Sequence, residues 1–166
     1  MGREIRRVPP NWEHPRQDTG QYQPVRDKSY AEAAEEWIRE FYLWQEGKHP
    51  SQSHEWAKEY KYYWEYEGTP PEKDYYLSEF TEEPTWYQVY ETVSEGTPVS
   101  PPFATKEELI DYLVEYGDFW DQKRGHGGRS REAATAFVNS GWVPSMVVAD
   151  GKIFAGIDSS ILQKEK

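Results

Sequence analysis

A glycine-rich basic loop is the part of this sequence whose residue types and spacing best suit the binding of an anion. It runs from Arg124 to Arg129 and ends directly before Ser130, where a helix is predicted to begin. Free backbone N–H groups and the helix dipole favour a negative group at such a position. The residues predicted to bind a phosphate or carboxylate, as in a nucleotide, are Arg124, His126, Gly127, Gly128, Arg129 and Ser130. The alternative is a flexible surface loop whose cations offset the acidic segment of the chain.

No other combination of residues points to catalysis, a metal or a cofactor. The four histidines are scattered, and none has the spacing of a metal-binding motif. The chain has no cysteine, which excludes disulfides, thiolate metal sites and a cysteine nucleophile. Its serines lack the context of a nucleophile elbow. We therefore expect a non-enzymatic protein with no catalytic residue, no metal site and no cofactor.

Acidic residues are concentrated in residues 29–95, which hold sixteen acidic and five basic residues and therefore account for the chain's net charge of −11. This composition indicates a basic protein as partner and not a nucleic acid, because Lys and Arg must neutralise phosphates. Trp12 and Trp120 lie in predicted loops and are further candidates for exposed contacts. The predicted partner-binding acidic face comprises Glu32, Glu35, Glu36, Glu40, Glu55, Glu59, Glu82 and Glu83. The alternative is an ordinary solvated helix face.

Two helices are predicted to position most of the acidic face. Ser29 and Glu32 form a capping box, and apolar residues recur at helical spacing until Gly47. A second helix is predicted over residues 53–66, and the short connection predicts an antiparallel helical hairpin with aromatic rings in its core. Residues 1–28 contain four prolines and are predicted to form an extended arm.

The second half of the chain has a pattern of short strands. Residues 86–93 show an alternation in side-chain polarity and are rich in β-forming residues, which predicts a strand. The exposed aromatic edge of this strand could support a dimer. Prolines confine the short segment that begins at Val99 to a sheet edge. Met146 to Ala149 and Lys152 to Ala155 are predicted to form a hairpin, because Asp150-Gly151 between them is a strong turn signal.

Two short helices are predicted among these strands. Thr105 opens a capping box and a helix that ends at Gly117, residues 118–129 form a loop, and Ser130 caps the next helix. Together the patterns predict an α+β fold in which the acidic helical hairpin packs with a small antiparallel sheet. The predicted parts of this single domain, residues 1–166, are the arm at 1–28, the hairpin at 29–67 and a small α+β portion at 85–160.

Three segments of the sequence carry a resemblance to a known family. They are GREIRRVPPNWEHP near the start, YETVSEGTPVSPPFATKEEL from residue 90, and SGWVPSMVV from residue 140. In these segments the chain resembles a family of small uncharacterised bacteriophage and prophage proteins. The motifs carry no known chemistry, so the resemblance transfers no catalytic residue. It implies a phage-encoded protein that acts in the bacterial cytoplasm.

We therefore expect a phage-encoded, non-enzymatic acidic protein that binds and inhibits a host nucleic-acid-binding protein, as anti-CRISPR and anti-restriction DNA mimics do. One alternative is a binder or sponge of small anionic ligands such as nucleotides, using the Arg124–Ser130 loop. Another is a component of the virion or of its assembly. No secretory signal and no apolar run of membrane-spanning length is found in the sequence, so a membrane association is not expected.

Overall fold

The computed structural model describes residues 2–77, 80–94, 96–149 and 152–159. Within that part of the chain, 3-10 helices form at Pro50–Ser53, Glu55–Glu59 and Lys73–Tyr75. The α-helices and strands are, in chain order, β1 (Gly2–Val8), β2 (Arg26–Ser29), α1 (Tyr30–Gln45), α2 (Tyr63–Tyr66), β3 (Tyr76–Leu77), β4 (Trp86–Glu91), β5 (Thr97–Pro98), α3 (Lys106–Glu115), α4 (Phe119–Arg124), α5 (Arg131–Ser140), β6 (Trp142–Pro144), β7 (Met146–Ala149), β8 (Lys152–Ala155) and α6 (Gly156–Ser159).

The chain forms two compact units. The sheet unit consists of Met1–Pro24 and Phe80–Lys166, and the aromatic unit consists of Val25–Glu79. A four-stranded antiparallel sheet together with several helices confirms the predicted α+β class. The single domain stays a prediction, and the bounds of its predicted parts do not coincide with those of the two units.

The sheet unit is built on a sheet with the strand order β5-β4-β1-β6. Its interior strand β1 lies within residues 1–28, for which the sequence predicts an extended arm, so that prediction is wrong over Gly2–Val8. In the antiparallel register Ile5 lies opposite Val89 on β4, and Arg3 lies opposite Val143 on β6. The interpretation of residues 86–93 as an exposed edge is also wrong, since β4 pairs with a strand on each side.

Helices α3 and α5 supply most of the core of the sheet unit. Both begin where the sequence predicts, with Thr105 and Ser130 as their N-caps. Their apolar faces pack with Val89 of β4 and Val143 of β6, and this burial is the main stabilising contribution. The buried residues of this core are Val89, Val99, Leu109, Ile110, Leu113, Ala133, Ala134, Phe137, Val138, Val143 and Ile157.

Three further predictions in the sheet unit have different outcomes. β7 and β8 pair as the predicted antiparallel hairpin, whereas its turn at residues 150 and 151 lies outside the described residues. The predicted loop at 118–129 is wrong in its first half, where Asp118 caps the helix α4. Trp12 and Trp120 are half-buried, and each indole N–H donates to a side chain of the same unit, so neither is a fully exposed contact.

The aromatic unit begins with the predicted helix α1. Ser29 and Glu32 form the capping box, because the hydroxyl of Ser29 accepts from the Glu32 backbone N–H and the carboxylate accepts in return. Trp44, near the end of the helix, is buried with Ala57 and Tyr63. This small core stabilises the unit.

The prediction of a second helix over residues 53–66 is wrong. The two 3-10 helices and the one-turn helix α2 replace it, because the chain wraps around the indole of Trp44. The Trp44 N–H donates to the carbonyl of Lys61 at 3.4 Å, and Gln52 donates to the Trp44 carbonyl at 3.1 Å. A continuous helix would use the Lys61 carbonyl within its own backbone. The sequence pattern places Trp56, Tyr60, Tyr63 and Trp64 at helical spacing in the core of the hairpin, but only Tyr63 is buried and the other three rings are exposed.

Candidate functional site

Arg129, the central residue of the predicted anion site, already has two carboxylate partners within the chain. Its guanidinium pairs with Asp121 through two N–H groups and with Asp158 at 2.6 Å. Burial lowers the pKa of Arg129, but the hydrogen bond and the charge of Asp121 outweigh that effect and raise it. The protein's own anions therefore occupy part of this guanidinium, and the predicted anion site of the loop stays a prediction.

The rest of the glycine-rich loop supports the local fold. The hydroxyl of Ser130 accepts from the backbone N–H of Ala133 and so caps α5. A Cβ atom at Gly128 would lie 1.7 Å from the carbonyl oxygen of Val114, so the loop packs against α3 where only glycine fits. The exposed residues of the loop are Arg124, Gly125, His126, Gly127 and Gly128.

Asp118 extends this ionic network to the sheet. One carboxylate oxygen accepts from the backbone N–H groups of Trp120 and Asp121 at the start of α4. The other accepts from Arg3 of β1 at 2.7 Å, and the Asp118 side chain is almost fully buried. Buried charges are tolerated when they are paired in this way, so the network holds α4 and the basic loop on the sheet.

Three members of the predicted acidic face are engaged within α1 and its surroundings. Glu32 belongs to the capping box, and the hydrogen bonds from Ser29 lower the pKa of Glu32. Glu36 pairs with Lys28, and Glu40 contacts Arg39 at 3.0 Å. These carboxylates therefore stabilise the local structure of α1 as well as contributing negative charge.

The remaining members of the acidic face are more exposed to a partner. Glu55 pairs with Lys58 at 2.7 Å, but both side chains are highly exposed. Glu35, Glu59, Glu82 and Glu83 are also exposed, and within the described residues they form no ion pair. Glu82 and Glu83 belong to the sheet unit, whereas the other members belong to the aromatic unit.

The aromatic unit that contains Glu35 and Glu59 also has exposed apolar side chains. Ile38 and Tyr42 are 51% and 58% exposed and share a helical face with Glu35, since the three are spaced at i, i+3 and i+7. Tyr62 stacks on Trp64 with centroids 4.5 Å apart, and both rings are exposed. We call Glu35, Ile38, Tyr42, Glu59, Tyr62 and Trp64 the acidic-aromatic surface.

The rings of this surface continue into the core of the aromatic unit. Trp64 stacks on Phe41 at 6.2 Å, and Phe41 contacts Tyr42 at 5.6 Å. Deeper in, burial, followed by the charges of Glu67 and Glu40, raises the pKa of Tyr63 to about 12. The exposed rings are therefore held by packed neighbours, and the surroundings disfavour further negative charge.

A cleft in the sheet unit is the second feature that could bind something. Its volume is about 770 Å³, within the range of small-molecule sites. The residues that line it come from the loop between Trp12 and Tyr22, from Gln88 on β4, from residues 98–102 and from the helices α3 and α4. Sequence reasoning missed this cleft, because its residues come from five separate segments.

A chain of hydrogen bonds centred on the buried Tyr90 joins residues that line the cleft, and we call this chain the floor of the cleft. The Tyr90 hydroxyl donates to Gln88 and accepts from the indole of Trp12. Gln88 in turn donates to the backbone carbonyl of Ser100, and the hydroxyl of Ser100 donates to the carbonyl of Pro101. These polar groups satisfy one another, so Ser100 is not poised as a nucleophile.

His14 is the titratable group of this floor. Nε2 lies 2.7 Å from the carbonyl of Gln23 and Nδ1 lies 3.0 Å from the hydroxyl of Tyr90. Burial lowers the pKa of His14, and the cations Arg6 and Arg16 lower it further, although the hydrogen bond to Gln23 opposes them. The ring is therefore neutral at pH 7.

The three segments 2–15, 90–109 and 140–148, on which the sequence-based expectation of a phage family rests, meet in this unit. The first contains β1 and contributes Trp12 and His14 to the cleft, and the second contributes residues 98–102. The third contains β6, which pairs with β1. The Pro-Pro-x-Trp-x-His-Pro spacing was thus the sequence signal that could have pointed to the cleft.

The described residues contain neither a candidate metal site nor a candidate membrane-spanning helix. Among the described residues no group of three or more His, Asp or Glu side chains could hold a metal ion. None of the described helices combines the length and apolar character needed to cross a membrane. Comparison of the chain with protein families, with curated proteins and with solved structures found no match.

Proposed function

We propose that this protein is a phage-encoded, non-enzymatic inhibitor that acts in the bacterial cytoplasm. It binds a basic host protein through the acidic-aromatic surface and blocks a site that would otherwise hold nucleic acid. The observation that carries the proposal is the exposure of Ile38, Tyr42, Tyr62 and Trp64 in a unit whose exposed carboxylates Glu35 and Glu59 lack an ion-pair partner among the described residues.

The charge of the aromatic unit supports a basic partner. Residues 25–79 hold thirteen acidic and seven basic residues, and several of the basic ones are neutralised by pairs within the unit. Negative potential accelerates the encounter with a positive surface and disfavours nucleic acid itself. A nucleic-acid-binding protein presents such a positive surface.

The exposed rings give the same surface a source of affinity. Tyrosine and tryptophan are enriched among residues that dominate binding, and charge alone at a rim contributes little. Isolated exposed apolar residues are ordinary, but a group of them in one small unit marks an interaction surface. The partner should therefore offer apolar pockets between its basic residues.

The test is a pulldown of the tagged protein from host lysate at low and high salt, followed by kinetics with the captured protein. The double variant Glu35→Lys/Glu59→Lys reverses two exposed carboxylates that form no ion pair among the described residues, and association should slow about tenfold. Glu115→Lys is the matched control, because a lysine is favourable at the C-terminal end of α3. Glu32, Glu36 and Glu40 are poorer targets, since their reversal would also disturb α1.

A second pair of variants tests the rings. Trp64→Ala should weaken binding by about 2 kcal/mol, the size of an interface hot spot, and Tyr116→Ala, an exposed ring of the sheet unit, should not. Capture of a basic nucleic-acid-binding protein that is lost at high salt supports the proposal. An unchanged association rate in the charge-reversed variant, or no captured basic protein at low salt, overturns it.

A further inference from the structure

We propose that the cleft of the sheet unit binds a small anion that carries a flat aromatic ring, such as a nucleoside monophosphate or an aromatic carboxylate. This site is distinct from the acidic-aromatic surface and from the Arg124–Ser130 loop. The inference goes beyond the proposed function, because a protein that binds its partner through residues 25–79 does not require a ligand in the sheet unit.

Arg16 supplies the positive charge of the cleft. Its guanidinium carbon lies 3.9 Å from the centroid of the Tyr22 ring, and one N–H group donates to the carbonyl of Gly20 at 2.8 Å. Within the described residues it has no carboxylate partner, although the chain has a net charge of −11. A guanidinium has five N–H donors, so most of them remain available for a carboxylate or phosphate.

The loop that bears Arg16 has a defined structure. Arg16 and Tyr22 form an antiparallel bridge, and Gln17 and Gln21 are joined by a backbone hydrogen bond of 2.8 Å. Gly20 closes the turn with a φ of +81°, a conformation that other residues rarely adopt. The stacked arginine and tyrosine are therefore held in place before any ligand arrives, which lowers the entropic cost of binding.

Aromatic rings and prolines form the walls of the cleft. Phe119 at the start of α4 is 51% exposed, and Tyr22 on the facing loop is 38% exposed. Stacking of a base on such a ring contributes roughly 1–3 kcal/mol and tolerates different bases. Because the polar groups of the floor bond to one another, we expect the ring of the ligand to be bound by stacking with little discrimination between bases.

Substitution of Glu13 distinguishes an anionic ligand from a cationic one. Glu13 is the single carboxylate among the residues that line the cleft, and it is exposed, whereas His14 beside it is neutral. If the ligand is an anion, Glu13→Gln should tighten binding and Arg16→Gln should weaken it. A cationic ligand would reverse both signs.

The experiment is an NMR titration that follows the indole N–H signal of Trp12 with four probes. AMP carries a ring and an anion, indole-3-acetate carries a ring and a carboxylate, adenosine lacks the anion, and inorganic phosphate lacks the ring. AMP, indole-3-acetate or both should bind at least tenfold more tightly than adenosine and phosphate. The stronger of the two anions identifies the source of the ligand.

Matched variants complete the test. Arg16→Gln should weaken binding of the anionic probe at least tenfold, and Glu13→Gln should strengthen it severalfold. Arg7→Gln is the control, because Arg7 also stacks on a tyrosine, at 4.3 Å from the Tyr87 centroid, but does not line the cleft. The proposal is overturned if neither anion binds at millimolar concentration, if Arg16→Gln binds like Arg7→Gln, or if Glu13→Gln weakens binding.

Discussion

The hydroxyl of Tyr90 lies 3.0 Å from Nδ1 of His14, although 76 positions separate the two residues in the chain. A carbonyl can only accept, so the contact with Gln23 places the proton of a neutral His14 on Nε2 and leaves Nδ1 as an acceptor, which shares the single hydroxyl proton of Tyr90 with Oε1 of Gln88. The histidine therefore ties the loop of the cleft to the strand β4. Both the stability of the unit and the shape of the cleft should depend on this contact.

The neutral His14 predicts that the protein loses stability in mild acid. The unfolded chain takes up a proton at this residue near pH 6.5, whereas the folded chain does so only at lower pH, because its pKa is lowered. The unfolded state then binds more protons, so the free energy of unfolding falls as the pH drops from 6.5 towards the folded pKa. Urea unfolding between pH 7.5 and 5.5 measures this slope.

The variant His14→Gln isolates the contribution of this one group. It should be less stable at pH 7.5 but should lose less of its stability on acidification, since it has no proton to gain at this position. His126→Gln, at an exposed position of the basic loop, should keep the wild-type slope. Equal slopes in His14→Gln and the wild type would show that the buried ring is not the source.

Tyr90→Phe tests the hydroxyl apart from the ring. The phenylalanine ring keeps its place beneath the guanidinium of Arg6, which lies 4.4 Å from the Tyr90 centroid. It leaves the indole N–H of Trp12 and Nδ1 of His14 without their partner. Stranded buried polar groups cost about 1–3 kcal/mol, measured as the free energy of urea unfolding.

Tyr116→Phe is the control for the loss of a hydroxyl. Tyr116 is exposed near the end of α3, and such surface changes stay within about 0.5 kcal/mol. If Tyr90→Phe costs no more than Tyr116→Phe, the hydrogen-bond chain does not stabilise the floor of the cleft.

Local signals explain why the three longer helices could be predicted from the sequence. A capping box is formed by residues three positions apart, so Ser29 with Glu32 and Thr105 with Glu108 are recognisable without knowledge of the fold. Ser130 and Gly141 likewise mark the two ends of α5. The hairpin of β7 and β8 depends on a turn between neighbouring strands, which is also a local feature.

Distant partners explain what the sequence concealed. β1 contains three arginines, which makes its segment look like a surface arm, but Arg3 pairs with Asp118 and Arg6 pairs with Glu4 and lies over Tyr90. The second predicted helix failed for a related reason. Helical spacing of aromatic rings stabilises a helix only if the face that bears them is buried. Here the chain instead folds around Trp44, whose indole N–H bonds to the Lys61 carbonyl.

Arg129→Met should destabilise the protein strongly, because the guanidinium neutralises the buried Asp121. Removal of one partner from a buried ion pair leaves an uncompensated charge and typically costs about 3–5 kcal/mol. Arg124→Met, at an exposed position five residues earlier, should stay within about 0.5 kcal/mol. Thermal or urea unfolding compares the two. Equal stabilities would mean that Arg129 is free in solution, and the loop would then again be a candidate anion site.

Gly128→Ala tests whether the glycines of this loop serve packing. The new Cβ would lie 1.7 Å from the backbone oxygen of Val114, and a backbone atom cannot rotate away as a side chain can. We expect a loss of about 3 kcal/mol, at the upper end of overpacking costs. Gly127→Ala is the matched control, since its Cβ would meet open space and only the positive φ of 72° would cost about 1 kcal/mol. If Gly128→Ala is no less stable than Gly127→Ala, then α3 and the loop are not in contact here, and the glycines are a sign of flexibility.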